Sequence, residues 1–226
     1  MIPLKDDIRS RSFPLVNSLL IAANILVFLY EATLGAGVAD FIGRYGLVPA
    51  QLVGHWPAGW GKVFSSMFIH GGWEHIIGNM LYLFIFGDNV EDALGHLTYL
   101  SFYLLCGAAA AGSQVLSDLG STLPMVGASG AVAGVLGAYL LLYPRAGVLT
   151  LIPLGFFIRV VKIPALVVLG FWIVLQVLFG LYSLPLAGQG QGGVAWFAHI
   201  GGFAAGLLLV KPLALRSRRK FQSAGI

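Results

Sequence analysis

Charge is what this sequence has least of. Lys and Arg number 13 and Asp and Glu 9 in 226 residues, against a hydrophobic share of 58%, and a soluble domain of this size cannot be built from so few surface charges. Cysteine is almost absent: Cys106 stands alone, which excludes an internal disulfide, and its apolar neighbours suit a packing residue rather than a nucleophile. No His-Glu-x-x-His occurs, so the helix-face spacing that unites two zinc ligands and a base is missing. Internal repeats of the kind that mark transporters are missing as well. The positive balance of +4 comes without a basic stripe interleaved with aromatics, which argues against a nucleic-acid partner.

What is present is a series of apolar runs. Hydropathy separates six, about Pro14 to Leu34, Trp73 to Ala93, Leu97 to Leu116, Ser129 to Tyr143, Pro164 to Tyr182 and Val194 to Leu213. A spanning helix needs about 20 apolar residues. The expectation is an all-α membrane protein of six helices in a single domain over residues 1–226, with a polar segment at 1–13 and a basic tail at 214–226. The run Val148 to Phe157 is broken by Pro153 and followed by Arg159 and Lys162, so it reads as interfacial rather than spanning. All Lys and Arg residues except Arg44 and Lys62 fall on the side of the termini, which places both termini in the cytoplasm.

With that orientation the second, fourth and sixth helices start on the outer side, and each start carries a polar group: His75, Ser129 and His199. The fourth helix is short, about 15 residues or roughly 22 Å against a hydrocarbon core of about 30 Å, so its beginning sits below the surface, in backbone that must line protein or a wet cavity. A serine hydroxyl becomes nucleophilic when a base accepts its proton, and His199 is the best-placed base. No Asp or Glu lies in the last three helices to orient it. His75 and Asn79, four residues apart on one helix face, can donate toward a developing oxyanion together with the Ser129 backbone N–H. Gly130 and Gly134 on the fourth helix and Gly202 and Gly206 on the sixth form small-xxx-small patterns that let two backbones approach.

Each feature has a plainer reading by itself. Ser129 suits a helix N-cap, His199 a packing histidine, His75 and Asn79 an interhelical bridge. His70, Glu74, His75 and His199 leave a zinc protease as an alternative, and a polar cavity of this kind also suits a transporter or a non-catalytic helix-binding chaperone.

Taken together, His75-x-x-x-Asn79, Gly127-x-Ser129-Gly130 and Ala198-His199-x-x-Gly202-x-x-x-Gly206 resemble the rhomboid intramembrane serine proteases of the bacterial six-helix type over nearly the whole chain. That resemblance implies an endopeptidase of the bacterial plasma (inner) membrane that cuts transmembrane proteins near the outer face. Its implied parts are Ser129 as nucleophile, His199 as base and then acid, His75 and Asn79 in the oxyanion hole, and no cofactor or metal. His70 and Gly87-x-x-x-Glu91-x-x-x-Gly95 match positions for which it implies structural support. Two positions depart from relatives: residues 35–72 lack a Trp-Arg pair, leaving Trp56 and Trp60 as interfacial anchors, and Ala133 stands where some relatives have a tyrosine against the histidine, leaving His199 to other groups. For substrate access, the glycine-rich loop Ser183 to Gly193, with Gly188, Gly190, Gly192 and Gly193, is expected to act as a lid beside a lateral gate of Phe171, Trp172 and Phe179; lipid-facing aromatics are the alternative.

Overall fold

A computed structural model of the chain describes residues 1–54, 59–154, 157–184 and 193–223. Trp56, Gly188, Gly190 and Gly192 lie outside the described residues, as do the side chains of Arg216, Arg218, Arg219 and Lys220. Each of the six apolar runs forms a helix: α1 (Leu15–Thr33), α5 (Trp73–Leu94), α6 (His96–Ser117), α7 (Ser129–Leu142), α8 (Ala165–Ser183) and α9 (Trp196–Ser223). Between α1 and α5 lie short helices, among them α2 (Val38–Tyr45), α3 (Pro49–Gly54) and α4 (Trp60–Ser65). Among the described residues four helices are long and apolar enough to cross a membrane: α1, α6, α8 and the Trp196–Ala214 part of α9. The apolar α7 has only 14 residues, and α5 carries Glu74, Asp88, Glu91 and Asp92.

The all-α expectation needs correcting, because the fold is mostly helical but not wholly so. Strands β1 (Ile2–Asp6), β2 (Gly147–Leu154) and β3 (Phe157–Pro164) form an antiparallel sheet in the order β1-β2-β3. Hydropathy registers Val148 to Phe157 as one apolar run, but Val148, Thr150 and Ile152 face Ile163, Val161 and Arg159 across the ladder, and β-branched residues favour that pleated pairing. The polar opening segment supplies the third strand, with an irregularity between Pro3 and Lys5.

That sheet is fastened to the helices by carboxylates. Asp6 accepts hydrogen bonds from the Tyr139 hydroxyl (2.5 Å) and Asn89 Nδ2 (3.0 Å), joining β1 to α7 and α5, and its burial raises the carboxyl pKa. Asp7 accepts from the Gly147 N–H at 2.8 Å and pairs with Lys162 at 2.6 Å, which holds its pKa below the usual range.

The start of α1 is capped from another helix. Buried Glu91 on α5 accepts the N–H groups of Val16 (2.9 Å) and Asn17 (2.7 Å), two of the orphan donors of a helix N-terminus. A Cβ at Gly87 would fall 2.2 Å from Asn17 Oδ1, so α1 and α5 can meet here only over a glycine. Gly95, at φ +77°, turns the chain from α5 directly into α6.

At the core, α7 is enclosed: all ten residues from Gly130 to Tyr139 are buried. Close approach to α9 explains the glycines. A Cβ on Gly202 would lie 2.0 Å from the Gly130 carbonyl oxygen, and one on Gly206 2.0 Å from that of Gly134. A Cβ on Gly134 would also fall 2.4 Å from the Cβ of buried Cys106 on α6. Two backbones are thus in van der Waals contact over two turns, a distance that no side chain permits.

Candidate active site

Ser129 is the first residue of α7, and the loop that delivers it is pinned by the segment between α1 and α5. Leu47 and Met125 exchange backbone hydrogen bonds (3.0 and 2.7 Å), and the Gly127 N–H donates to the Ser66 carbonyl at 2.9 Å. Gly127 has φ +120°, a conformation open to glycine at little cost. A methyl group there would lie 2.5 Å from His75 Nε2 and 3.6 Å from Ser129 Oγ. The imidazole on α5 and the hydroxyl on α7 therefore flank one point. The first-turn N–H groups of α7 have no partner within the helix and face the same region by helix geometry.

On the other flank, His199 Nε2 of α9 lies 2.8 Å from Ser129 Oγ. Gly130 and Gly202, one and three residues away, bring the two helices into backbone contact at this level. The imidazole is 9% exposed. Trp172 of α8 packs on it with ring centroids 5.7 Å apart and 37° between planes, and Trp196 meets it edge-on at 6.2 Å. Its other nitrogen, Nδ1, lies 2.7 Å from Oε1 of Gln176 on α8. Neither Trp172 nor Gln176 carries a sequence motif. The available signal was the amide itself: Gln176 interrupts an apolar helix, and polar side chains in a span face partners rather than lipid.

Asn79 lies one turn beyond His75 on α5. It is buried, and its Nδ2 has no hydrogen-bond partner among the described residues. A buried donor left unpaired costs about 1–3 kcal/mol, so its presence calls for an explanation in terms of something that binds there. A small cavity is lined by Ser129 together with Ser66, Gly127, Ala110 and Ala198 among others.

His70 sits behind this group rather than in it. It is 2% exposed, its ring lies 5.1 Å from that of His75 and 6.5 Å from Phe28, and its backbone N–H donates to both Glu31 oxygens at 3.3 Å. Burial first, and the neighbouring His75 second, push its pKa down to about 4. Glu91 is distant from the serine, at the α1 N-terminus already described. Among the described residues no three His, Cys, Asp or Glu side chains converge to hold a metal ion.

The three aromatics named for a lateral gate on α8 differ in exposure. Phe171 and Phe179 are exposed, but Trp172 turns inward against His199 and Phe203. Trp172 and Phe179, seven residues apart, lie on nearly the same line of α8 and both meet aromatic or imidazole rings of α9, whereas Phe171 points about 100° away from Trp172. Phe179 packs on Trp196 at 5.0 Å. Trp60 opens α4, 42% exposed.

A rhomboid domain model matches residues 57–216. RHOMBOID-like protein 4 of Arabidopsis thaliana is 32% identical over 90% of this chain and 54% of its own length. Rhomboid-like protein 11, chloroplastic, of the same plant is 30% identical over 90% of this chain and 69% of its own. A putative rhomboid protease, YdcA of Bacillus subtilis, is 32% identical over 36% of this chain and 40% of its own. The chain thus spans about half the length of the first of these relatives.

Proposed function

The chain belongs to the rhomboid family and is a multi-pass membrane protein, and from that premise we propose that it is an intramembrane serine endopeptidase working through Ser129 and His199. The observation that carries this reading is the 2.8 Å approach of Ser129 Oγ to His199 Nε2 at the start of α7. In the proposed reaction His199 Nε2 takes the hydroxyl proton as Oγ adds to a substrate carbonyl carbon. The oxygen of that carbonyl becomes an anion, which His75, Asn79 Nδ2 and the Ser129 N–H are there to receive. His199 then returns the proton to the leaving amine, and the C–N bond breaks to leave an acyl ester on Ser129. A water, deprotonated by the same nitrogen, hydrolyses the ester and restores the hydroxyl.

Several finer points belong to the same proposal. The six helices and the asymmetry of basic residues support the bacterial six-helix type, one membrane domain over residues 1–226, both termini in the cytoplasm, and the plasma membrane as location. Substrates are transmembrane segments, and those with helix-weakening residues near the cut are favoured, because a helical peptide bond has its carbonyl occupied and its carbon shielded by the next turn. The loop Ser183 to Gly193 serves as a lid in this reading; a Cβ on Gly193 would meet no described atom within 4 Å, and residues 185–192 lie outside the described residues.

The test is covalent labelling. A fluorophosphonate added to the purified protein is expected to modify Ser129, located by peptide mass spectrometry, and to leave Ser129→Ala and His199→Ala unlabelled. A folded wild-type protein that takes no label contradicts the proposal.

A further inference from the structure

His199 has two ring nitrogens, and only one arrangement of protons makes it a base toward Ser129. Nε2 must carry a lone pair, so the neutral ring must hold its proton on Nδ1. Among the described residues no carboxylate faces Nδ1; its partner is the Gln176 side chain at 2.7 Å, itself only 6% exposed.

An amide can present either oxygen or nitrogen, and the surroundings decide which. Gln176 Nε2 lies 3.3 Å from the Trp172 carbonyl, one turn earlier on α8, and donates to it. Rotating the amide would set its oxygen against that carbonyl oxygen, two acceptors facing each other. The NH2 group is therefore committed to Trp172, and Oε1 is left pointing at Nδ1. An acceptor there admits the Nδ1–H tautomer and repels the other, whose lone pair would face the amide oxygen. Trp172 closes the arrangement by packing on the imidazole it indirectly orients.

We propose that Gln176 is the positioning residue of this site: its side-chain oxygen selects the Nδ1–H tautomer of His199 and turns Nε2 toward Ser129. The proposal rests on the reading of Ser129 and His199 as nucleophile and base. Gln176 fills the place that a carboxylate takes in a three-membered site, but as a neutral group it avoids leaving an anion in the bundle. It also holds the Nδ1 proton while Nε2 briefly carries a second one.

Placing this group on α8 has a consequence for access. Ser129 and His199 stand on helices joined by backbone contacts, whereas α8 is the least buried of the four long apolar helices, with 28% of its apolar window buried against 33% to 39% for the others. A substrate that enters by displacing α8 removes Gln176 from Nδ1, and the base is set again only when α8 packs back onto α9. Chemistry thus waits on closure.

Two measurements on the full-length protein in detergent decide the matter. In protein labelled with 15N-histidine, the signal that disappears in His199→Ala is expected to report a proton on Nδ1, and to lose that preference in Gln176→Leu. In parallel, fluorophosphonate labelling of Ser129 is expected to slow by about 10–100-fold in Gln176→Leu, the range seen when outer partners of a functional histidine are removed. Gln176→Glu keeps an acceptor oxygen at the same reach and is expected to recover most of the rate. A packing role reverses the order, since Leu suits an apolar helix and Glu does not. Leu labelling at the wild-type rate with an unchanged tautomer overturns the proposal. A wild type that never labels refutes the protease reading instead, and the tautomer measurement still decides the role of Gln176.

Discussion

Replacing Gly202 by alanine adds one carbon atom, and the structure sets what that atom must do. Built on the backbone it falls 2.0 Å from the Gly130 carbonyl oxygen, and Cβ atoms essentially never approach closer than 3.0 Å. The obstacle is helix backbone on both sides, so no side-chain rotation relieves it, and α7 and α9 must part by about 1 Å. Gly130 adjoins Ser129 and Gly202 is one turn from His199, so most of that gap opens between Oγ and Nε2. Their 2.8 Å separation becomes roughly 3.8 Å, beyond hydrogen-bond range. Overpacking of this kind costs about 1–3 kcal/mol of stability, while a misplacement of about 1 Å at a reacting pair can cost about 100-fold in rate. The Ser129 labelling rate and the thermal unfolding midpoint in detergent are read for Gly202→Ala, Gly202→Leu and, as control, Gly112→Ala on α6, where a Cβ meets no described atom within 4 Å. The expected result is about 100-fold slower labelling in the alanine variant, none in the leucine variant, and no change in the control. Gly202→Ala labelling at the wild-type rate refutes the argument that glycine contacts hold the pair together.

Asn79→Ala removes an amide whose Nδ2 is buried and without a partner among the described residues, so stability is expected to change by less than about 1 kcal/mol while kcat falls by about 100-fold, the usual effect of losing one oxyanion donor; a loss confined to KM contradicts that role. Asp6→Ala leaves the Tyr139 hydroxyl and Asn89 amide without their shared acceptor and is expected to destabilise by about 1–3 kcal/mol, read as a lower unfolding midpoint with earlier proteolysis in the first residues. For His70, a native pKa of about 4 against about 6.5 when unfolded means that the unfolded chain binds the extra proton between those values. Stability is then complete above pH 6.5 and declines toward pH 4, by up to about 3 kcal/mol. Unfolding midpoints of His70→Phe are expected to fall less steeply over that window, and an equal slope contradicts the assignment.

The helices and the meeting of their polar starts were legible because both follow from local rules. Apolar length locates the runs, and alternation of direction puts His75, Ser129 and His199 at one end of the bundle. The glycine patterns told that α7 and α9 touch, through Gly202 and Gly206 on the carbonyls of Gly130 and Gly134, but not that Gly130 and Gly134 also make room for Ala110 and Cys106 of α6. The sheet was not legible: β1 pairs with residues more than 140 positions away, and hydropathy counts Val148 to Phe157 as apolar without registering that its β-branched residues alternate. Gln176 escaped for a different reason. One amide on an apolar helix belongs to no spacing pattern, and only the packing of α8 against α9 gives it a partner.

The central claim is that Ser129 and His199 act together on peptide bonds within the membrane. Its most direct test is cleavage of a fluorescent transmembrane substrate by the purified protein in liposomes, comparing wild type with Ser129→Ala and His199→Ala, all shown to be folded by their unfolding midpoints. The account predicts cleavage by wild type and none by either variant. Cleavage that persists without Ser129, or a folded wild type that cuts no transmembrane substrate offered, contradicts it.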